Sequence, residues 1–252
     1  MRFSVHGRLR TRRFTTGVVL GLAVWLVACL AFVPAVVVGA AGEGAGQSPQ
    51  TLTILHTNDT HAHLEYIARR ATLIGQIREQ TPNVLLVDAG DVFSGTLYFT
   101  QYLGRADLEF MNLLGYDAMT LGNHEFDKGP AGLAPFVAGA RFPVVSANVD
   151  VAGDPDLGKL ARTEIGTEAG RVYPAVIREI AGEKVGIIGL TTPEASEISS
   201  PGPHISFSDP SAAARQLVDR LTAMGVDRIV VLSHLGWPRD LELAAAVEGI
   251  DV

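Results

Sequence analysis

The sequence predicts an α/β protein built around a mainly parallel β-sheet that is buried on both faces. Short, strongly apolar runs alternate with longer stretches of helical character, which is the pattern of strands joined by crossover helices. Four of the apolar runs, 51–55, 84–87, 117–121 and 228–232, are followed directly by residue types that can bind metals or carry protons. In parallel sheets, ligands bind outside the carboxyl ends of the strands. These polar residues are therefore expected to meet at one edge of the sheet.

The first half of this domain is predicted to alternate regularly between strands and helices. Its elements are a strand at 51–55, a helix at about 66–80, a strand at 84–87, a helix at about 97–114 and a strand at 117–121. Pro82 closes the first helix because proline cannot continue one. Gly115 ends the second because glycine readily adopts the left-handed conformation that follows a helix.

The second half is predicted to be less regular. It contains a strand at 143–147, an exposed excursion at 150–170, a hairpin of 172–180 with 184–190, a helix at about 210–224, a strand at 228–232 and a helix that begins near Pro238. The hairpin is expected to turn at Gly182-Glu183. A further strand is expected to open at Asp251, and its backbone groups would need partners. We therefore expect the chain to be a fragment of a longer protein.

The first fifty residues are predicted to lie outside the folded domain. Five arginines precede an uncharged stretch from Phe14 to Gly42 that is rich in Val, Leu and Ala. This pattern indicates an export signal at 1–40 with cleavage near Ala40, although the stretch is also long enough to remain as an uncleaved membrane anchor. Residues 41–50 are predicted to be a flexible linker. The protein is thus expected to be exported, and to be periplasmic, at the cell surface or secreted.

The composition of the predicted exported part, beyond residue 40, argues against some classes of partner and site. Beyond residue 40 the chain has 15 basic and 27 acidic residues, a balance that argues against a nucleic-acid polymer as a partner. The only cysteine, Cys29, falls in the export signal, so thiolate metal ligands and a cysteine nucleophile are not expected. Membrane contact is expected only through the N-terminal segment, if that segment is not cleaved.

The polar residues at the strand ends predict a site for two divalent metal ions. Asp59 and His61 are two residues apart, so in extended backbone both side chains can bind one ion. Asp91 can bridge two ions because a carboxylate has two oxygens with several lone pairs. Asn123 and His234 can supply an oxygen and a nitrogen to the second ion. Two such ions clamp a phosphoryl group and activate water near neutral pH, and zinc or manganese suits these ligands.

Two further residues are predicted to handle protons. His124 directly follows the ligand Asn123 and precedes Asp127 by three residues. This spacing places His124 to donate a proton or a hydrogen bond, and it places Asp127 to orient the ring and keep it charged.

Asp88 is expected to accept hydrogen bonds from nearby backbone amides. Asn148 is expected to support the site from the end of its strand.

Several segments resemble the exported 5′-nucleotidase family of calcineurin-like metallophosphoesterases. They are Leu55–His63, Asp88–Asp91, Gly115–Met119, Gly122–Asp127, Ser146–Asn148, Val185–Thr192 and Ser233–Gly236. The resemblance covers essentially 51–252 and implies an α/β fold, a metallophosphoesterase sandwich of two β-sheets flanked by helices. It implies the metal ligands named above, the catalytic pair His124 and Asp127, and a nucleotide substrate that Asn123 and His124 contact.

The chain departs from the family pattern at its C-terminus. Family members carry a Gly-Gly-His-x-His or Gly-Gly-His-x-Gln segment shortly after a strand like the one opening at Asp251, and this segment gives one more ligand to each metal. A C-terminal substrate-binding domain, which holds the nucleoside, then follows in the family. The resemblance therefore implies that 51–252 is a partial catalytic domain with weak metal binding and poor activity when alone.

Three interpretations of the function stay open at this point. The favoured one is a two-metal hydrolase that releases phosphate from nucleoside 5′-monophosphates outside the cytoplasm. A 2′,3′-cyclic nucleotide phosphodiesterase or a UDP-sugar hydrolase is the second, because relatives with these activities share the metal site. The third is an inactive truncated fragment.

Overall fold

The computed structural model describes residues 51–252. The predicted export signal at 1–40 and the predicted linker at 41–50 lie outside the described residues. Within 51–252, no helix combines the length and the apolar character that crossing a bilayer requires.

Strands and helices alternate in much of the described part of the chain, but five strands follow one another between residues 144 and 191. Its strands are β1 (Thr53–Thr57), β2 (Val84–Asp88), β3 (Ala118–Thr120), β4 (Val144–Val145), β5 (Val149–Asp150), β6 (Val172–Tyr173), β7 (Ala175–Ile180), β8 (Glu183–Thr191), β9 (Ser206–Phe207) and β10 (Arg228–His234). Its helices are α1 (Ile67–Gln80), α2 (Leu97–Tyr102), α3 (Arg105–Leu114), α4 (Gly129–Gly139), α5 (Ala195–Ile198), α6 (Pro210–Ala223) and α7 (Trp237–Ala246).

The larger sheet consists of five parallel strands in the order β1-β2-β3-β4-β6. The last residue of β1, Thr57, pairs with the last residue of β2, Asp88, which in turn pairs with Met119 in β3. The loops that follow these three strands therefore leave the sheet at the same edge. The face of the sheet that includes Leu86 and Met119 belongs to a core with residues of α1, α3 and α4.

The second sheet has the order β10-β8-β7, with β10 parallel and β7 antiparallel to β8. One of its faces packs against α6 and α7. Its other face meets the larger sheet in a core that includes Leu85 of β2, Val145 of β4, Ile187 of β8 and Val230 of β10. Strands β5 and β9 form a separate antiparallel pair. The predicted sandwich of two β-sheets flanked by helices is confirmed.

The predicted helix at 97–114 is wrong in its middle, where the structure has two helices. Leu103 and Gly104 separate α2 from α3 with φ values of 49° and 80°. A Cβ atom on Gly104 would lie 2.3 Å from the Phe93 ring. The break lets the chain pass close to the ring of Phe93, which lies before the predicted helix, so helical spacing within 97–114 could not reveal it.

The predicted strand at 172–180 is divided between the two sheets. Val172 and Tyr173 pair in parallel with β4, whereas residues from Ala175 onward pair antiparallel with β8. Pro174 lies at the crossing, where a residue without a backbone N–H suits a break in the ladder. The hairpin itself is present, but it turns one residue earlier than predicted, at Ala181 and Gly182, both with positive φ, and Glu183 already belongs to β8.

Two other expectations are corrected. The excursion at 150–170 is not wholly exposed, because Leu157 is fully buried and its backbone N–H donates to the Asp154 carboxylate. The backbone at the predicted strand opening, Asp251, does have partners. Its N–H donates to the carbonyl of Ile229, and the Val231 N–H donates to the carbonyl of Val252.

Candidate metal centre

The candidate site lies where the loops after β1, β2 and β3 meet the end of β10. These loops have several non-glycine residues in the left-handed region, with φ of 50° at Asp59, 44° at His61 and 58° at Asp91. Such conformations are costly for residues with a side chain, and they concentrate at functional sites where the surrounding structure holds them. The chain thus turns sharply at the residues that the sequence selected as ligands.

Two glycines allow the loops after β2 and β3 to touch. A Cβ atom on Gly90 would lie 2.5 Å from the Gly122 nitrogen, and one on Gly122 would lie 2.2 Å from Asp91 Oδ1. A side chain at either position would push Asp91 away from Asn123 and His124. The glycines of the two motifs are therefore needed for the close approach itself.

Two histidines are oriented by backbone carbonyls. His61 Nδ1 lies 3.0 Å from the carbonyl oxygen of Phe93, and His234 Nδ1 lies 2.8 Å from that of Ala89. A carbonyl only accepts hydrogen bonds, so each Nδ1 carries the proton and donates it. Nε2 is then the atom through which each ring could bind a metal once that nitrogen carries no proton, as in metal-binding histidines whose other nitrogen is held by a hydrogen bond.

Asp91 lies at the centre of the site. It is 3% exposed, its Oδ1 accepts the N–H of His124 at 2.8 Å, and its Oδ2 lies 3.1 Å from His234 Nε2. It belongs to both groups of side chains whose donor atoms lie within 4.8 Å of one another, namely Asp91 with Asp59 and His234, and Asp91 with His61 and His124. Asp91 is thus shared by two groups of possible ligands, as a bridging carboxylate would be.

The grouping of the other residues differs in detail from the predicted division between two ions. Asp59 lies 3.8 Å from His61, its predicted partner, but also groups with His234. His124, predicted as a proton donor, lies among possible ligands and stacks edge-on against His61 at a centroid distance of 5.0 Å. Asn123 is half-buried at the start of the 3-10 turn His124–Phe126. All five predicted ligands lie in or next to these loops, and the ligand assignment stays a prediction.

Asp91 and His234 form a charged pair. Burial opposes ionisation of both, but the hydrogen bond and charge of Asp91 raise the pKa of His234 to about 9. In return, and against the effect of burial, His234 lowers the pKa of Asp91. A cation that binds here takes the place of the His234 proton beside the same carboxylate. The donor set of carboxylates and imidazoles, whose Nε2 atoms can bind a metal once deprotonated, therefore fits divalent cations.

His124 and Asp127 make the predicted contact. His124 Nδ1 lies 2.7 Å from Asp127 Oδ2, and the Ser94 hydroxyl donates to the same oxygen. Partial burial would lower the pKa of His124, but the Asp127 hydrogen bond and the nearby carboxylates raise it overall. With Nδ1 bound to Asp127, Nε2 is the nitrogen from which His124 can donate a proton.

Glu125 is a functional-site residue that the sequence analysis missed. It is fully buried. One carboxylate oxygen accepts backbone N–H groups from Val92 and Phe93 at 2.8 and 3.3 Å, and the other accepts those of Asp91 and Gly122 at 2.9 and 2.6 Å. It therefore holds the loop after β2 against the loop after β3. Its place in the Gly122–Asp127 motif was visible, but an acidic residue in a loop ordinarily points to solvent.

The two residues expected to support the site behave differently. Asp88 is 1% exposed and accepts the Gly90 N–H at 2.9 Å, as expected, together with the Thr57 hydroxyl at 2.5 Å. Burial raises the pKa of Asp88 to about 7. Asn148 bonds both backbone groups of Thr191 and the carbonyl of Ser208. It thus joins the chain at β5 to the ends of β8 and β9, and supports the fold rather than a metal ligand.

The same fold and motifs occur in a described family. The family model for calcineurin-like phosphoesterases matches residues 52–251. This chain belongs to that family. It is 46% identical over 222 residues to a trifunctional nucleotide phosphoesterase, YfkN, of Bacillus subtilis, and 44% identical over 218 residues to a snake venom 5′-nucleotidase of Naja atra.

Solved structures of family members also superpose on the chain. The 5′-nucleotidase precursor from Thermus thermophilus matches with a TM-score of 0.73 and 50% identity over 79% of this chain. The NAD nucleotidase of Haemophilus influenzae matches with a TM-score of 0.69 and 34% identity over 79% of this chain. The matched region is only part of each relative. It covers 15% of the Bacillus protein, 40% of the venom enzyme, and 40% and 37% of the two structures.

Proposed function

We propose that this protein is a two-metal hydrolase that releases phosphate from nucleoside 5′-monophosphates. The observation that carries the proposal is the position of Asp91, a buried carboxylate that belongs to two groups of possible ligands. The two carbonyl-oriented histidines and the adjacent His124–Asp127 pair support it. The 5′-nucleotidases among the relatives support the substrate class.

We assign Asp59, His61 and Asp91 to one cation and Asp91, Asn123 and His234 to the other, with zinc or manganese as the expected metals. When bound, two such ions polarise a phosphoryl group and lower the pKa of water near it. The chain's own part is to hold these side chains at one sheet edge. Their loops are fixed by Glu125 and by the close contact of Gly90 with Gly122.

His124 is the proposed proton donor. Asp127 holds its Nδ1, so Nε2 can hydrogen-bond a phosphoryl oxygen and can protonate the leaving oxygen of the nucleoside. The raised pKa of His124 keeps this nitrogen protonated closer to neutral pH. Asn123, next to His124, is proposed to contact the same phosphoryl group.

Two parts of this proposal concern the protein around the site. The arginine-rich, apolar start of the chain supports export, so we propose that the reaction takes place outside the cytoplasm. Because the family resemblance assigns nucleoside binding to a C-terminal domain, we propose that recognition of the nucleoside depends on groups outside 51–252. The chemistry of the metal centre can be tested with a substrate that has no nucleoside, at the low rate that the resemblance implies for 51–252 alone.

The test uses the whole chain loaded with manganese or zinc. p-Nitrophenyl phosphate, which needs no nucleoside recognition, should be hydrolysed, and a chelator should stop the reaction. Among nucleotides, AMP should be consumed faster than 2′,3′-cyclic AMP or UDP-glucose. The loss of each nucleotide is measured, because hydrolysis of the cyclic ester or the sugar nucleotide releases no inorganic phosphate. A reversed order would favour the related phosphodiesterase or sugar-nucleotide activities. The absence of phosphoester hydrolysis by protein with two bound metals would refute the proposal.

A further inference from the structure

Ser94 makes a contact beside the candidate metal centre that the proposed reaction does not yet use. Ser94, in the loop after β2, donates its hydroxyl to Asp127 Oδ2, and His124 Nδ1 bonds the same oxygen from the other side at 2.7 Å. Asp127 lies 33 residues further along the chain, in the loop after β3. One carboxylate oxygen thus holds two donors that come from two different loops.

The backbone around Ser94 shows that this position is held under strain. Ser94 has a φ of 68°, in the left-handed region that residues with a side chain enter at a cost. The next residue, Gly95, has a φ of 94°, and a Cβ atom there would lie 2.6 Å from the His61 carbonyl oxygen. Glycine is the residue best suited to such a conformation. A serine at position 94 therefore needs a reason beyond the turn itself.

We propose that Ser94 is a positioning residue for the reaction. It fixes the rotation of the Asp127 carboxylate, and through it the orientation of the His124 ring. A carboxylate held by a single donor can turn about its Cβ–Cγ bond, whereas two donors that converge on one oxygen allow one orientation. His124 Nε2 then faces the reacting group with little freedom, as an efficient proton donor requires. This inference rests on the proposed function, because it gives Ser94 a task in that reaction.

Two variants separate the hydroxyl from the backbone. Ser94→Ala removes the hydroxyl and keeps the strained φ, whereas Ser94→Gly removes the hydroxyl and relieves the strain. Both should lower kcat by about 10- to 100-fold, the usual effect of losing a group that orients a reacting side chain. KM and the content of two metals should stay unchanged. The thermal midpoint of Ser94→Gly should lie above that of Ser94→Ala, so that equal losses of turnover accompany different stabilities.

A double variant tests whether Ser94 acts through Asp127. In Asp127→Ala protein, adding Ser94→Gly should cause almost no further loss of kcat, because the carboxylate that Ser94 holds is already gone. Loss by the same factor in both backgrounds would show that Ser94 acts independently and would overturn the inference. Loss of bound metal in the Ser94 variants, or unchanged turnover, would overturn it as well.

A measurement that needs no turnover keeps the inference separate from the proposed function. In protein labelled with ¹⁵N-histidine, the hydrogen-bonded Nδ1–H of His124 should give a downfield signal that His124→Ala removes. Ser94→Gly should broaden or shift this signal, because the carboxylate that accepts the proton becomes mobile. An unchanged signal would overturn the role of Ser94. If the wild-type protein hydrolyses no phosphoester, the proposed function fails, and this signal alone decides on Ser94.

Discussion

Among single residues, substitution of Asp91 is expected to have the largest effect on metal binding and on hydrolysis. Asp91 is buried, and it belongs to two groups of possible ligands. Asp91→Ala should abolish both metal binding and phosphoester hydrolysis, because neither ion keeps the shared anion. Metal analysis and p-nitrophenyl phosphate turnover measure the two effects. Near-normal turnover with two bound metals would show that Asp91 is not the bridge.

His124 should behave differently from Asp91, although both lie within the same cluster. His124→Ala should keep bound metal and lower turnover by roughly 10²–10⁴-fold, the range for a lost proton-handling group. The loss should be larger with AMP than with p-nitrophenyl phosphate, because the better leaving group needs less protonation. If the variant instead loses metal, His124 is a ligand, as its grouping with His61 and Asp91 would allow.

The buried carboxyl of Asp88 should make the stability of the protein depend on pH. Burial raises its pKa from 3.8 to about 7 in the folded protein, so between these values the folded state holds a proton that the unfolded chain has lost. The free energy of unfolding should therefore fall as pH rises from about 4 to about 7. Asp88→Asn stays neutral and should flatten this slope in metal-free buffer. Urea unfolding at several pH values measures it, with the exposed Asp227→Asn as control.

At the scale of loops and helices, the structure shows which features local sequence could reveal. The ends of strands such as β1 and β2 were predictable to within two residues, because their apolar runs stop at polar residues, His56 and Asp88. The break between α2 and α3 was not, because it depends on Gly104 fitting against the ring of Phe93, which lies outside the predicted helix. The four amide contacts of Glu125 were hidden for the same reason, since its partners include residues more than 30 positions away.

Substitution of Glu125 should weaken the contact between the loops that follow β2 and β3. Glu125→Gln keeps the size of the side chain, but its amide group faces two backbone N–H donors where a carboxylate oxygen accepted them. We expect a loss of about 2–5 kcal/mol in the free energy of unfolding, because buried donors lose their acceptor. Metal affinity should fall too, since Asp91 lies in the loop that Glu125 holds. Denaturant unfolding measures the first effect, with the exposed Glu109→Gln as control, and an effect no larger than the control's would contradict this role.

At the scale of the whole molecule, the proposed site connects the two sheets of the sandwich. Asp59 and Asp91 follow strands of the larger sheet, whereas His234 ends β10 of the smaller one. The contacts of His234 with Asp91 and with the Ala89 carbonyl already cross between the sheets. A cation held by these residues would link the sheets at the edge where their loops have the most strained backbone.

Metal binding should therefore stabilise the described domain as a whole. A ligand that binds only the folded state adds about 2.7 kcal/mol at a free concentration 100 times its dissociation constant. The thermal midpoint of the wild-type protein should rise with added manganese or zinc and fall again with a chelator. Asp91→Ala should show no such rise, because its folded state has lost the shared ligand. A metal-dependent rise of the same size in Asp91→Ala would place the stabilising metal elsewhere, and the two sheets would then have to be held together at this edge by the protein's own contacts alone.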